Sequence, residues 1–283
     1  MTSSVFAIVI AAALLHATWN ALLKGGSDKF AGMAGVMLGQ GPLALLAALC
    51  MPLPAAESLP YLIAGIGLHV GYQTFLTLAY RVGDLSQVYP IARGVAPLIV
   101  AGVSVAFLGV ALNLAEIVAV ATIGIGIISL ALVRRQDGQR NPAAAGLALI
   151  TGCFIAAYSL VDGYGARAAG TAVGFYGWLA VGSTIGFTTL MLIFNPQAVQ
   201  SALRTGKLRG LIGGSASFIA FALVIWAFTQ APIALVTALR ETSIIFAVMF
   251  GVFLFKERLD LAKVISTALT LAGAALLRFA RHF

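Results

Sequence analysis

Residues 89–116 read YPIARGVAPLIVAGVSVAFLGVALNLAE. From Ile91 to Leu112 the one charged side chain is Arg93. A helix of that length rises about 30 Å, the thickness of a bilayer's hydrocarbon core. The run shows no strand alternation, and its length exceeds that of a buried strand. It therefore reads as a membrane-spanning helix with two awkward residues inside it, Arg93 and Pro97. An ionisable group in the bilayer costs about 2.5–3.5 kcal/mol on insertion scales, so Arg93 calls for a reason.

The same apolar character runs the length of the chain. Of 283 residues, 61% are hydrophobic and 9% charged, and the mean hydropathy is +1.02. A soluble domain needs about 25% charged residues to make a wet surface. Ten apolar runs can be cut: 4–23, 30–51, 59–80, 86–108, 112–133, 143–164, 170–194, 208–230, 232–255 and 260–280. No alternating strand pattern suggests a barrel, and backbone groups in lipid must pair internally, so the expected fold is an all-α membrane protein of ten transmembrane helices. The net charge of +8 sits mainly in the joints, where it sets topology, and no aromatic-basic platform points to nucleic acid. Cys50 and Cys153 fall inside spans without metal-ligand spacing and read as packing residues. The first apolar run has no basic residue before it and no clear cleavage site, so it reads as a first span.

The cations divide unevenly. Lys24, Lys29, Arg81, Arg134, Arg135, Arg140, Arg204, Lys207, Arg209, Lys256, Arg258 and Lys263 follow odd-numbered spans, against Arg167, Arg278 and Arg281 on the other side. Positive loops remain in the cytoplasm, which puts both termini outside, in the periplasm where the membrane is a bacterial inner one. Laying 89–116 on 236–263 (VTALRETSIIFAVMFGVFLFKERLDLAK) sets Arg93 on Arg240, Leu112 on Leu259 and Leu114 on Leu261; further on, Gly126 meets Gly273. Loops 4–5 and 2–3 carry no cation, whereas 9–10 and 7–8 carry three each. Five spans is an odd number, so a second copy lies upside down and only one loop of each matching pair is strongly positive. The expected organisation is two inverted five-helix repeats, 1–135 and 136–283, a common transporter plan with a site between them.

The chain resembles the EamA branch of the drug/metabolite transporters. The resemblance lies in HATWNALLK at 16–24, YPIARGVAPL at 89–98 and ALRETSIIFAVMFGVFLFKERL at 238–259, with its closing pair Glu257–Arg258. The loop GVALNLAE at 109–116 departs from the family in lacking such a pair. The resemblance implies export or exchange of small organic metabolites without a cofactor. It also implies a central cavity lined by the first, third, fourth, sixth, eighth and ninth helices. It names no substrate.

The polar residues within spans are the candidate substrate-binding or transport residues: Arg93, Arg240, Glu241, Tyr89, His16, Trp19, Asn20, His69, Tyr72, Gln73 and Tyr158. Arg93 and Arg240 would reach one cavity from opposite sides, and guanidinium forks suit carboxylate or phosphate. Two other readings of Arg93 stand beside this one: snorkelling to the interface, and pairing with Glu241 or Asp162. Ser86, Tyr89, Arg93 and Pro97 follow one another by helical turns, and interior Pro97 should kink its helix. His69, Tyr72, Gln73 and Thr77 form one stripe, and Trp19–Asn20 would match Tyr158–Ser159 across the repeat. Asp162 falls near a span end, facing headgroups, and Gln40 marks a bent helix. Asp84 with Gln87, and Asn113 with Glu116, have capping-box spacing.

No phosphate-binding GxxxxGK[ST], HExxH or GxSxG motif is present, which argues against ATP as the direct energy source and against an enzyme. No catalytic or metal-ligating residue is expected. The leading function is a secondary transporter of small anionic or zwitterionic metabolites such as amino acids, working by alternating access; the alternative is a flippase for lipid-linked head groups. Its partners are then a small metabolite and the lipid bilayer, with a homodimer as an option and nucleic acid excluded.

Overall fold

Apolar sequence without polar alternation leaves the backbone no partner but itself, and among the described residues every regular element is helical. The structure, a computed structural model, describes residues 1–24, 28–83, 85–132, 142–204, 206–253 and 261–279. The helices are α1 (Ser3–Lys24), α2 (Lys29–Cys50), α3 (Leu59–Val82), α4 (Leu85–Ala106), α5 (Leu114–Leu132), α6 (Pro142–Ala168), α7 (Ala172–Phe194), α8 (Pro196–Arg204), α9 (Lys207–Gln230), α10 (Ile233–Arg240), α11 (Ser243–Phe253) and α12 (Leu261–Phe279). Among the described residues, seven segments are long and apolar enough to cross a membrane. Three shorter apolar helices accompany them: Ile91–Ala106, Leu114–Ser129 and Val264–Phe279.

Local chemistry marks the ends. Asp28 caps α2, accepting from the backbone N–H of Phe30 at 2.9 Å and of Ala31 at 3.1 Å. Asn113 and Glu116 form the expected reciprocal box at the start of α5, with bonds of 2.8 and 3.1 Å. The Asp84–Gln87 pair lies outside the described residues, as does the Glu257–Arg258 pair. Large side chains such as Leu49, Ile63, Phe107 and Phe194 face outward, as lipid requires and water would not tolerate over so wide a surface. Cys50 and Cys153 are also on that outer face as free thiols, so they are not packing residues of the interior.

Without a hydrophobic drive between helices in lipid, close approach depends on small residues. Helix α2 packs on α9 and α7, α3 and α4 pack on α6, α1 packs on α9, and α5 packs on both α4 and α12. The tightest seam is α2 against α9, where Gly35 and Gly39 meet Gly210 and Gly214 backbone to backbone. A Cβ on Gly214 would collide with the backbone of Gly39 and Gln40, which cannot give way as a side-chain tip can. Gly214→Ala is therefore expected to destabilise the protein by about 1–3 kcal/mol, read as a lower melting temperature in detergent. An unchanged melting temperature would contradict the seam.

Two expectations about the spans need correction. The run 232–255 is not one helix, because α10 ends at Arg240 and α11 starts at Ser243. Glu241 N–H and Thr242 N–H bond three residues back, to Ala238 and Leu239, and the Thr242 hydroxyl also donates to the Leu239 carbonyl at 2.8 Å. Such side-chain competition loosens the helical ladder without glycine or proline. By contrast α4 stays helical through Pro97. The second correction concerns α6, which continues to Ala168 and so carries Asp162 into the bundle rather than to the headgroups.

Candidate functional site

The answer to Arg93 is a protein anion. Arg93 is buried on α4, and its Nε donates to Glu241 Oε2 at 2.7 Å. Its second nitrogen, NH2, donates to the Ser243 hydroxyl at 3.3 Å. Snorkelling is thus excluded for this residue, and the pairing with Glu241 holds. Glu241 and Ser243 reach Arg93 because they flank the break between α10 and α11. The loosened turn brings the carboxylate and the hydroxyl to one guanidinium.

His16 on α1 completes this cluster. Its Nε2 lies 3.0 Å from Arg93 NH1, and its Nδ1 lies 3.3 Å from Trp19 Nε1. Arginine and tryptophan only donate, and a neutral imidazole has one accepting nitrogen. His16 therefore accepts from one of them at a time. Asn20 is half-buried, and its side chain donates to the His16 carbonyl at 2.8 Å. Ser159 does the same on α6, donating to Ile155 at 2.7 Å. Both side chains are spent on their own helices.

Arg240 has no such partner. It is 1% exposed, and Nε, NH1 and NH2 all lack a hydrogen bond among the described residues. Glu241 Oε1 is 3.8 Å from its Nε, too long for a bond. The guanidinium instead lies over two rings, Tyr158 at 5.9 Å and Phe221 at 5.7 Å. Tyr158 Oη and Glu241 Oε1 are also buried without a partner. Buried polar groups are normally paired, so a cation with three idle nitrogens beside an idle hydroxyl is an exception that needs an occupant.

A second pair links α3 to α6. His69 Nε2 and Asp162 Oδ2 are 2.7 Å apart, with Asp162 wholly buried. The His69 ring stacks on Tyr158 at 4.3 Å, and Tyr72 meets the same tyrosine edge-on at 5.4 Å. Tyr158 thus joins the His69–Asp162 pair to Arg240.

Beside these groups is a cavity of about 30 Å³, bordered by Trp19, Gln40, His69, Tyr72, Gln73, Tyr176 and Phe221. Gln73 donates to the Met37 sulfur at 2.9 Å, and Gln40 donates to the Thr184 hydroxyl at 3.1 Å. Water needs about 10–15 Å³ of such space, so the cavity holds a water or two and no metabolite. Its walls come from α1, α2, α3, α7 and α9, whereas the expectation included the fourth, sixth and ninth spans and omitted the second and seventh. The helices α4, α6 and α10 instead carry the adjoining charged cluster.

The structure thus gathers His16, Arg93, Glu241 and Arg240 in one cluster, with Tyr158, His69 and Tyr72 next to it and Trp19 and Gln73 at the cavity. The side chain of Tyr89 lies outside the described residues. Sequence reasoning missed Phe221 and Tyr176, because an aromatic in an apolar span carries no contrast. Gln40, read as a mark of helix bending, faces the cavity.

Residues 143–279 match the model of the EamA-like transporter family, a domain of the drug/metabolite transporter superfamily. Members of that family are transporters, not enzymes, and this chain is an integral membrane protein. One solved crystal structure has the same fold, with a TM-score of 0.76 at 19% identity, covering 100% of this chain and 99% of the other. No curated protein matches.

Proposed function

We propose that the chain is a secondary transporter that exports or exchanges small anionic or zwitterionic metabolites, amino acids among them, by alternating access at a midplane site. The observation that carries this reading is Arg240: a permanent cation, fully buried, without a hydrogen bond among the described residues, near a small cavity with polar groups in its walls. A guanidinium in that state suits a carboxylate, which would accept two parallel bonds from its fork. The cavity is too small for cargo, so the bundle must open to load it. In this state Glu241 occupies Arg93, and cargo would find Arg240.

Ten spans in two inverted five-helix repeats, 1–135 and 136–283, would supply the rocking halves. Helix pairings support this arrangement: α3 on α6 matches α9 on α1, while α2–α7 and α5–α12 join equivalent helices. With both termini periplasmic in a bacterial inner membrane, loop 134–142 is cytoplasmic. A cysteine placed there should escape an impermeant reagent in intact cells, and labelling would overturn the orientation.

The functional test is uptake by proteoliposomes offered a pool of labelled metabolites. Carboxylates or zwitterions should accumulate in exchange for preloaded cargo. Movement of long-tailed lipid-linked head groups alone would instead establish the flippase.

A further inference from the structure

Among the described residues, the buried ionisable side chains are Arg93, Arg240, Glu241, Asp162, His16 and His69. Two arginines, which keep their charge in proteins, face two carboxylates. These four charges cancel in the empty interior. A monoanion added at Arg240 would leave it one negative charge in excess, in a medium where charge is poorly solvated. A zwitterion would add no net charge.

The two carboxylates are not equivalent. Glu241 is committed to Arg93 through Oε2 at 2.7 Å, a charge-assisted bond that a proton on its unpartnered Oε1 would weaken to an ordinary one. Asp162 has only His69, on Oδ2; its Oδ1 is buried and partnerless. Helix α6 packs on α3, α4, α7 and α10, whose titratable or charged side chains in this cluster are His69 and Tyr72, Arg93, Tyr176, and Arg240 with Glu241; of these, His69 is bonded to Asp162. Tyr158 comes from its own helix, and α9 presents uncharged Phe221. Arg240 adjoins the His69–Asp162 pair through Tyr158, whose ring has the guanidinium over it at 5.9 Å and stacks at 4.3 Å on His69, the partner of Asp162, so its charge supports the ionised aspartate. A cargo carboxylate on Arg240 would cancel that support for the ionised aspartate.

We propose that Asp162 is the proton-binding site of the transporter: a monoanionic cargo on Arg240 is bound together with one proton, taken from water onto Asp162 Oδ1, whereas a zwitterionic cargo binds without it. No electron moves; an O–H bond forms at Asp162 and hydronium or buffer loses its proton. The proposal rests on Arg240 as the cargo anchor, and it makes the site a proton–anion symporter or a neutral exchanger according to the cargo offered.

Two arms test it on the full-length protein in detergent. The first uses phenylpyruvate and phenylalanine, a monoanion and a zwitterion of one carbon frame suited to the ring-lined cavity. Calorimetry in two buffers of different ionisation enthalpy counts protons. Phenylpyruvate should bind with uptake of about one proton and weaken about tenfold per pH unit at alkaline pH, and phenylalanine should bind with none. Asp162→Asn, which mimics the protonated acid, should bind phenylpyruvate without proton uptake and independently of pH. Proton-free binding of phenylpyruvate to the wild type, or an unchanged pH dependence in Asp162→Asn, would overturn the proposal.

The second arm needs no cargo. Infrared spectra of the cargo-free protein should show a protonated-carboxyl band that grows as pH falls, shifts with carboxyl-13C-aspartate and is missing from Asp162→Asn. A band that shifts with labelled glutamate instead, or no band, would overturn the assignment. If neither compound binds, the cargo class is at fault, and the infrared arm decides on Asp162 alone.

Discussion

Replacing Arg240 with alanine is expected to weaken a carboxylate-bearing cargo by about 100-fold or more while leaving the fold intact. Charge-assisted bonds contribute about 1.5–3 kcal/mol each, and about 1.4 kcal/mol is tenfold in affinity. A two-bond fork therefore accounts for a loss of that size. The contrast with stability is the informative part. Arg240 makes no hydrogen bond, so its removal strands no donor or acceptor of the protein. What it loses is contact with the rings of Tyr158 and Phe221 and the charge 3.8 Å from Glu241 Oε1. Arg240→Lys keeps the charge without the planar fork and should fall between wild type and alanine. Binding measured beside thermal unfolding separates the two roles. A large loss of stability with affinity unchanged would make Arg240 a structural anchor.

Glu241→Gln should have the opposite signature. Breaking one partner out of a buried ion pair costs about 3–5 kcal/mol, because the remaining charge is stranded. Here Arg93 would lose its carboxylate, while its contacts with Ser243 and His16 and the new amide oxygen are all neutral. The melting temperature should drop sharply, and Arg93→Ala should cause a comparable drop by stranding Glu241. The double variant should recover part of that loss, since neither charge is then left alone. Strictly additive losses would mean that the 2.7 Å contact contributes nothing to the fold.

Much of this arrangement was legible before any coordinates. Apolar runs of about 20 residues named the helices, since a bilayer admits few alternatives. Arg93, Arg240 and Glu241 stood out because charge in such a run is costly. Asn113 and Glu116 announced a cap through spacing alone. The failures share a cause: they depend on a partner distant in sequence. Nothing local says that Glu241 would reach Arg93 rather than Arg240, its own neighbour. Nothing local says that α6 continues past Asp162 so that His69 can meet it. The break after Arg240 has no glycine or proline to advertise it; it comes from Thr242 bonding backward and from a buried carboxylate drawn to another helix. Gly35 and Gly39 needed Gly210 and Gly214 opposite them before their spacing meant a seam.

The central claim is that Arg240 waits for the carboxylate of a cargo. The most direct measurement is a structure of the protein with a compound that it has been shown to transport. The compound's carboxylate should lie within hydrogen-bond distance of the Arg240 guanidinium, in a cavity enlarged well beyond the present 30 Å³, with Tyr158 and Phe221 beside it. A transported compound bound elsewhere, with Arg240 still lying unbonded against the two rings, would contradict the account.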